Sequence, residues 1–242
     1  MKFTLFLFLP ALLFPAKYSK AQLTAKTANN AFLITRMAEI YHVQPRPVNR
    51  DFSSDLFSLM MTALDADKIY FTREDMLQLE SYKYKLDQEV LNKKDVFLNL
   101  SIALFAQRIQ QTDSLLDLFS KKRIPLNSNE VYTIAEDTVF AANAALRSEK
   151  LFKLFRRNVL ESISDAENDS PDILLNADSL EKSAGKKVAR AFRRDIQRIL
   201  QSNAGLPGFV CNAWCESVAS CFDPHTEFFS MAKKEEFQGE LG

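Results

Sequence analysis

The sequence predicts an all-α fold, and three observations carry that expectation. Glycine is scarce: the 242 residues include five, and none occurs before Gly185. A glycine in a helix interior costs about 1 kcal/mol relative to alanine, so long glycine-free stretches suit helices. Apolar residues recur at steps of three and four, most clearly at Leu98, Ile102, Phe105, Ile109, Thr112, Leu116 and Phe119. That spacing lays one stripe along a helix. No strand-rich region, internal repeat or glycine-rich phosphate loop interrupts the pattern.

The first segment, Met1 to Ala21, reads as a secretory signal. Lys2 gives the positive start, Phe3 to Phe14 is a short apolar run, and Ser19-Lys20-Ala21 places small residues where a signal peptidase reads them. Cleavage before Gln22 is the expectation. The alternative is an uncleaved anchor, disfavoured because the run is short for a bilayer and is interrupted by Pro10 and Pro15. No cysteine follows the run, so a lipoprotein anchor lacks support. No later segment is long and apolar enough to span.

Helices are then expected in order. Thr24 to Tyr41 forms the first, with Phe32, Met37, Ile40 and Tyr41 as core positions. Gln44-Pro45-Arg46-Pro47 breaks it, because proline lacks a donor and restricts its predecessor. A second helix follows Asp51 and buries Phe52, Leu56, Leu59, Met60, Ala63 and Leu64. Thr72 caps a third, with Asp75 completing a capping-box-like pair. Its inner face carries Leu79, Tyr82, Leu86 and Val90, and Asn92 to Lys94 is the next break.

The heptad-like stripe from Leu98 to Phe119 reads as an antiparallel packing seam within one domain. It is too short for a dimeric coiled coil. Arg123 to Glu130 is a loop. Leu151, Phe155, Val159 and Ile163 mark another helix, and the acidic stretch Asp165 to Asp172 is a solvated loop. Ser179 caps a basic helix to Ser202, with Val188, Phe192, Ile196 and Ile199 inward. Lys186, Lys187, Arg190, Arg193, Arg194 and Arg198 give that helix a charged face, usually a solvated one. A last helix runs from Pro207 to Cys221 and buries Val210, Trp214 and Val218.

Composition bounds function. Hydrophobic residues make up 47% and charged residues 26%, enough apolar material for a real core. The formal charge is zero, and removing Lys2, Lys17 and Lys20 with the leader leaves 28 basic against 31 acidic residues. Phosphate backbones need a basic surplus, so nucleic-acid binding is excluded. The three cysteines, Cys211, Cys215 and Cys221, are an odd number for an exported chain. Cys211 and Cys215 share a helix face and read as small buried side chains. With only His42 and His225, the chain is too poor in ligands for a zinc site.

Three segments stand out. Cys221-Phe222-Asp223-Pro224-His225-Thr226-Glu227-Phe228-Phe229-Ser230 sits near the C-terminus, with Phe237 a few residues on. Its chemistry admits a catalytic reading, in which Asp223 orients His225 toward Ser230 or Cys221. It also admits a capped turn, since Asp and Thr oxygens bond nearby backbone groups. The turn is the stronger reading. His42, in Tyr41-His42-Val43-Gln44-Pro45-Arg46-Pro47-Val48, reads as a partly buried packing residue. The third segment is Leu64-Asp65-Ala66-Asp67-Lys68-Ile69-Tyr70-Phe71 with Asp75.

These segments resemble, in order, those of the tail-specific or C-terminal processing proteases. The first is similar to that family's FDPHT-x-YFS, the second to its HY-x-P-x-PL, and the third to its LDP-x-x-x-YF-x-x-x-D, with Ala66 in place of the usual proline. Asn129-Glu130-Val131-Tyr132 is weakly similar to its DE-x-Y. The resemblance covers roughly residues 30 to 240. It implies a helical N-terminal domain over 22–221 and, over 222–242, a junction segment leading to an absent PDZ domain. In the family a serine protease domain with a Ser–Lys dyad follows. No catalytic, cofactor-binding or metal residue of this chain can be assigned from the family.

The resemblance therefore implies a non-catalytic N-terminal domain of a periplasmic serine endopeptidase of a Gram-negative bacterium. Such a domain shapes a substrate enclosure or contacts an adaptor. The expected partners are protein substrates with free or unstructured C-termini and a lipoprotein adaptor. One alternative is part of an active endopeptidase whose PDZ and catalytic domains are encoded separately or lost. Another is an unrelated exported helical binding protein. Phe228 and Phe229 are expected to lack cover and lower stability.

Overall fold

A computed structural model describes residues 19–124, 139–169, 177–202, 204–223, 226 and 228. The expected leader, most of the Arg123 to Glu130 loop, and His225, Phe229, Ser230 and Phe237 lie outside these. The described residues form eight helices and no strand: α1 Lys20–Tyr41, α2 Arg50–Asp65, α3 Arg73–Glu80, α4 Leu86–Leu91, α5 Val96–Phe119, α6 Ala144–Asp169, α7 Ala177–Leu200 and α8 Gly205–Ser220. The all-α expectation is met.

Helices α5 and α8 organise the core. Every residue of the expected α5 stripe, from Leu98 to Phe119, is buried. The stripe packs against α3, α4, α6, α7 and α8. Helix α8 contacts α1, α2, α5 and α7. It buries Val210, Cys211, Trp214, Cys215 and Val218 together, and a helix apolar on so many sides belongs inside a protein. Ala204 and Gly205 both take left-handed backbone, at φ 64° and 67°, to turn the chain from α7 into α8. Glycine suits the second of these because it has no Cβ.

Helix α1 corrects the sequence reading. Met37, Ile40 and Tyr41 are exposed and Phe32 is only half-buried, whereas Thr24, Thr27, Ala28, Ala31 and Thr35 face inward. The reason is the neighbour. α1 lies mainly against α8, and small residues let two helices close together. Thr27 and Thr35 satisfy their hydroxyls locally, donating to the Leu23 and Phe32 carbonyls, while Thr24 donates to Asp95. The helix also begins a turn earlier than expected, where Ser19 and Gln22 form a capping box. The expected cleavage before Gln22 therefore falls within its first turn.

Smaller corrections follow the same logic. In α2, Leu59 and Ala63 are exposed, and Ser53, Phe57 and Met61 are buried instead. The expected third helix is two, α3 and α4, split by a turn over 81–85. Leu79, Leu86 and Val90 are buried as expected, with Tyr82 half-buried. Buried Ser53 bridges the split: its hydroxyl donates to the Lys83 carbonyl at 2.9 Å and accepts the Leu86 amide at 2.7 Å. Ser53→Ala is expected to cost about 1–3 kcal/mol, the penalty for buried backbone groups left unpaired. Urea denaturation would read it, and an unchanged midpoint would refute it.

Helix α6 continues to Asp169, past the start of the expected acidic loop, and α7 begins before Ser179, which is therefore not its cap. On α7, Arg193 is not simply solvated, because it reaches Asp113 and Asp117 of α5. Phe228 is half-buried against the core rather than uncovered.

Candidate functional site

The third segment builds a turn and a buried polar network. Asp65, 4% exposed, accepts the amides of Ile69, Tyr70 and Phe71 at 2.8, 3.0 and 2.8 Å. Burial pushes its carboxyl up, against the pull of those three bonds. The chain then enters α3 through the expected capping box of Thr72 and Asp75. Ring contacts of Tyr70 and Phe71 with Phe105 anchor the turn to α5.

Asp75 does more than cap. It receives Arg108 of α5 in a two-pronged pair, Nε to Oδ2 at 2.7 Å and Nη2 to Oδ1 at 2.8 Å. Burial alone would raise its carboxyl. The bonds from Arg108 and Thr72 outweigh that and hold it below the ordinary value. Arg108 also donates to Gln111 Oε1. Arg147 of α6 comes from the other side, donating to Thr112 Oγ1 at 3.0 Å and Gln111 Oε1 at 3.2 Å. Sequence reasoning missed both arginines. Arg108 was readable, because it lies three residues after Phe105 and four before Thr112 on the inward stripe.

The other two segments meet each other. Arg46 donates to the Cys221 carbonyl at 3.0 Å, pairs with Asp55 at 2.9 Å and lies over the Phe52 ring. Phe52 packs on Phe222 with centroids 5.5 Å apart. His42 Nε2 stands 3.8 Å from Asp223 Oδ2. The Thr226 amide donates to the Asp223 carbonyl at 2.9 Å, closing a turn. Asp223 therefore faces His42. Its expected relation to His225 and Ser230 lies outside the described residues.

The cysteines are buried and unbridged. Burial pushes the Cys211 thiol up, and those of Cys215 and Cys221 to about 12. A thiol so raised is a poor nucleophile, because the thiolate is the reactive form. Among the described residues no three metal-binding side chains cluster, and no helix is long and apolar enough to cross a membrane.

Two surface features remain. Leu33, Met37, Ile40 and Tyr41 form an exposed apolar stripe along the C-terminal half of α1, with Ile40 70% exposed, and Val43, just past the helix end, is 93% exposed. Between α5 and the start of α6 opens a groove of about 430 Å³, walled by residues that include Gln111, Ser114, Leu115, Leu118, Arg147 and Ser148.

A search of curated proteins found no match to the chain. The family model described as tail specific protease N-terminal domain matches residues 33–232. The match spans all three segments; the structure folds one into the turn network and brings His42 and Arg46 of another against the Cys221–Asp223 stretch. The chain belongs to the tail-specific protease family, as an N-terminal domain of that family.

Proposed function

We propose that this domain is a non-catalytic scaffold of an exported, periplasmic C-terminal processing serine protease. It helps enclose protein substrates with free or unstructured C-termini, or receives a lipoprotein adaptor. The observation that carries the reading is the α1 stripe. Large apolar side chains grouped on one face mark protein contacts more often than chance exposure. The stripe ends next to His42, and His42 meets Asp223, so the face adjoins the segment that the family resemblance assigns to the domain junction. The polar residues of the recognised segments support the scaffold role, since Asp65, Asp75 and Arg46 bond to backbone or to structural partners.

The test uses the purified chain and reduced, alkylated casein as an unstructured polypeptide. The expected results are binding without hydrolysis, and weaker binding by a Met37→Glu, Ile40→Glu variant. Exposed substitutions of this kind change stability by only about 0.5 kcal/mol either way, so the variant should fold. Hydrolysis by the purified chain overturns the non-catalytic reading. Binding unaffected by the two glutamates overturns the assignment of the face.

A further inference from the structure

The α5–α6 groove has a charge at its wall that the fold does not neutralise locally. Arg147 is 2% exposed. Arg108, its neighbour, has Asp75 in direct contact; among the described residues no carboxylate makes such a pair with Arg147. Its Nη atoms are spent on neutral oxygens of Thr112, Gln111 and Ile69, and its Nε, itself buried, has no hydrogen-bond partner among the described residues. Asp65 and Asp75 help it only at longer range, while burial and the like charge of Arg108 weaken its hold on the proton. A buried cation without a contacting anion is costly, and ordinary packing would replace it with an apolar side chain.

The rest of the wall matches a ligand that is part anion, part hydrocarbon. Ser114, Ser148 and Gln111 offer hydrogen bonds, and Leu115 and Leu118 offer an apolar side. The volume of about 430 Å³ lies within the span of small-ligand sites. We infer that this groove binds a peptide carboxylate next to an aliphatic side chain, with Arg147 supplying the positive charge. The carboxylate comes from an aspartate or glutamate side chain or from a chain terminus. The inference stands on cavity and charge, and does not depend on the role proposed for α1.

Three short peptides test it by calorimetric titration of the whole chain. One has blocked ends and an internal Leu-Asp, one has Leu-Asn in its place, and one ends in a free leucine carboxylate. The expected result is binding of at least one carboxylate peptide, with the Leu-Asn control about tenfold weaker or more, the scale of one charge-assisted hydrogen bond. Which carboxylate peptide binds identifies the source. Ser114→Trp, an exposed substitution that fills the groove, should abolish binding while leaving the thermal midpoint in place. Arg147→Lys should weaken it even where the fold persists, because a lysine cannot reproduce the planar fork. Equal binding of the Leu-Asp and Leu-Asn peptides, binding that survives Ser114→Trp, or no binding at millimolar peptide overturns the inference.

Discussion

Asp75→Ala should destabilise this domain by about 3–5 kcal/mol, because it removes one partner of a buried ion pair and leaves the other charge uncompensated. The pair is well suited to so large an effect. Asp75 and Arg108 side chains are 3% and 8% exposed, and two parallel bonds join them. Without the carboxylate, Arg108 would lie near Arg147, a buried cation with no contacting anion among the described residues. The Thr72 amide and hydroxyl would also lose their acceptor, and the capping box of α3 its reciprocal half. A double variant, Asp75→Leu with Arg108→Met, should recover much of the loss, since breaking a buried pair costs more than replacing it. Urea denaturation of Asp75→Leu, Arg108→Met and the double variant measures the coupling. Equal losses in the Asp75→Ala and double variants would defeat the argument.

The same pair fixes a pH dependence. Asp75 has its folded-state value held below its ordinary 3.8. It therefore contributes stability that is complete above 3.8 and is lost as pH falls through the folded value. Asp65 acts in the opposite sense, since burial raises its carboxyl. Its ionisation costs stability as pH rises through the interval between 3.8 and the raised value. The native chain should thus lose stability at the acid end through Asp75 while Asp65 partly offsets the loss. In the Asp75→Ala variant the acid limb should flatten. An acid limb of unchanged slope would show that Asp75 is not its source.

How much of this was legible follows from what each residue faces. The α5 stripe could be read because its neighbours cover one side of a regular helix, so period and burial coincide. Trp214, Val210 and Val218 were legible for the same reason. α1 was not: its large apolar residues suggested a core face, yet its partner α8 is approached through threonines and alanines. The α3–α4 split was hidden because the side chain that stabilises it, Ser53, lies about thirty residues away on α2. The Thr72–Asp75 cap could be read locally. Arg108, which gives Asp75 its weight, lies at a legible position on the α5 stripe, but no local spacing names Asp75 as its partner. Family resemblance located the segments that matter, but only coordinates show that His42 and Arg46 meet the Cys221–Asp223 stretch.

Trp214→Ala should match the ion-pair variant in size, at about 3–5 kcal/mol, by leaving a cavity where α8 crosses the core. The indole is 2% exposed and sits 5.5 Å, centroid to centroid, from Phe97. Phe97 in turn touches Phe57 and Tyr82, so one aromatic cluster ties α2, the α3–α4 turn, α5 and α8 together. Each such ring pair adds about 0.5–1.5 kcal/mol beyond area burial, so losing the indole also weakens contacts it does not itself make. Trp214→Phe keeps a ring against Phe97 and should cost clearly less. The effect should reach the junction: α8 delivers the Cys221 carbonyl to Arg46, and a loosened α8 releases it. Hydrogen exchange should then rise in α8 and around Arg46 before it rises in α6. Denaturation followed by circular dichroism gives the energy, since Trp214 is the only tryptophan. If the alanine variant loses under about 1 kcal/mol, well below large core truncations, α8 is not the central strut of this domain.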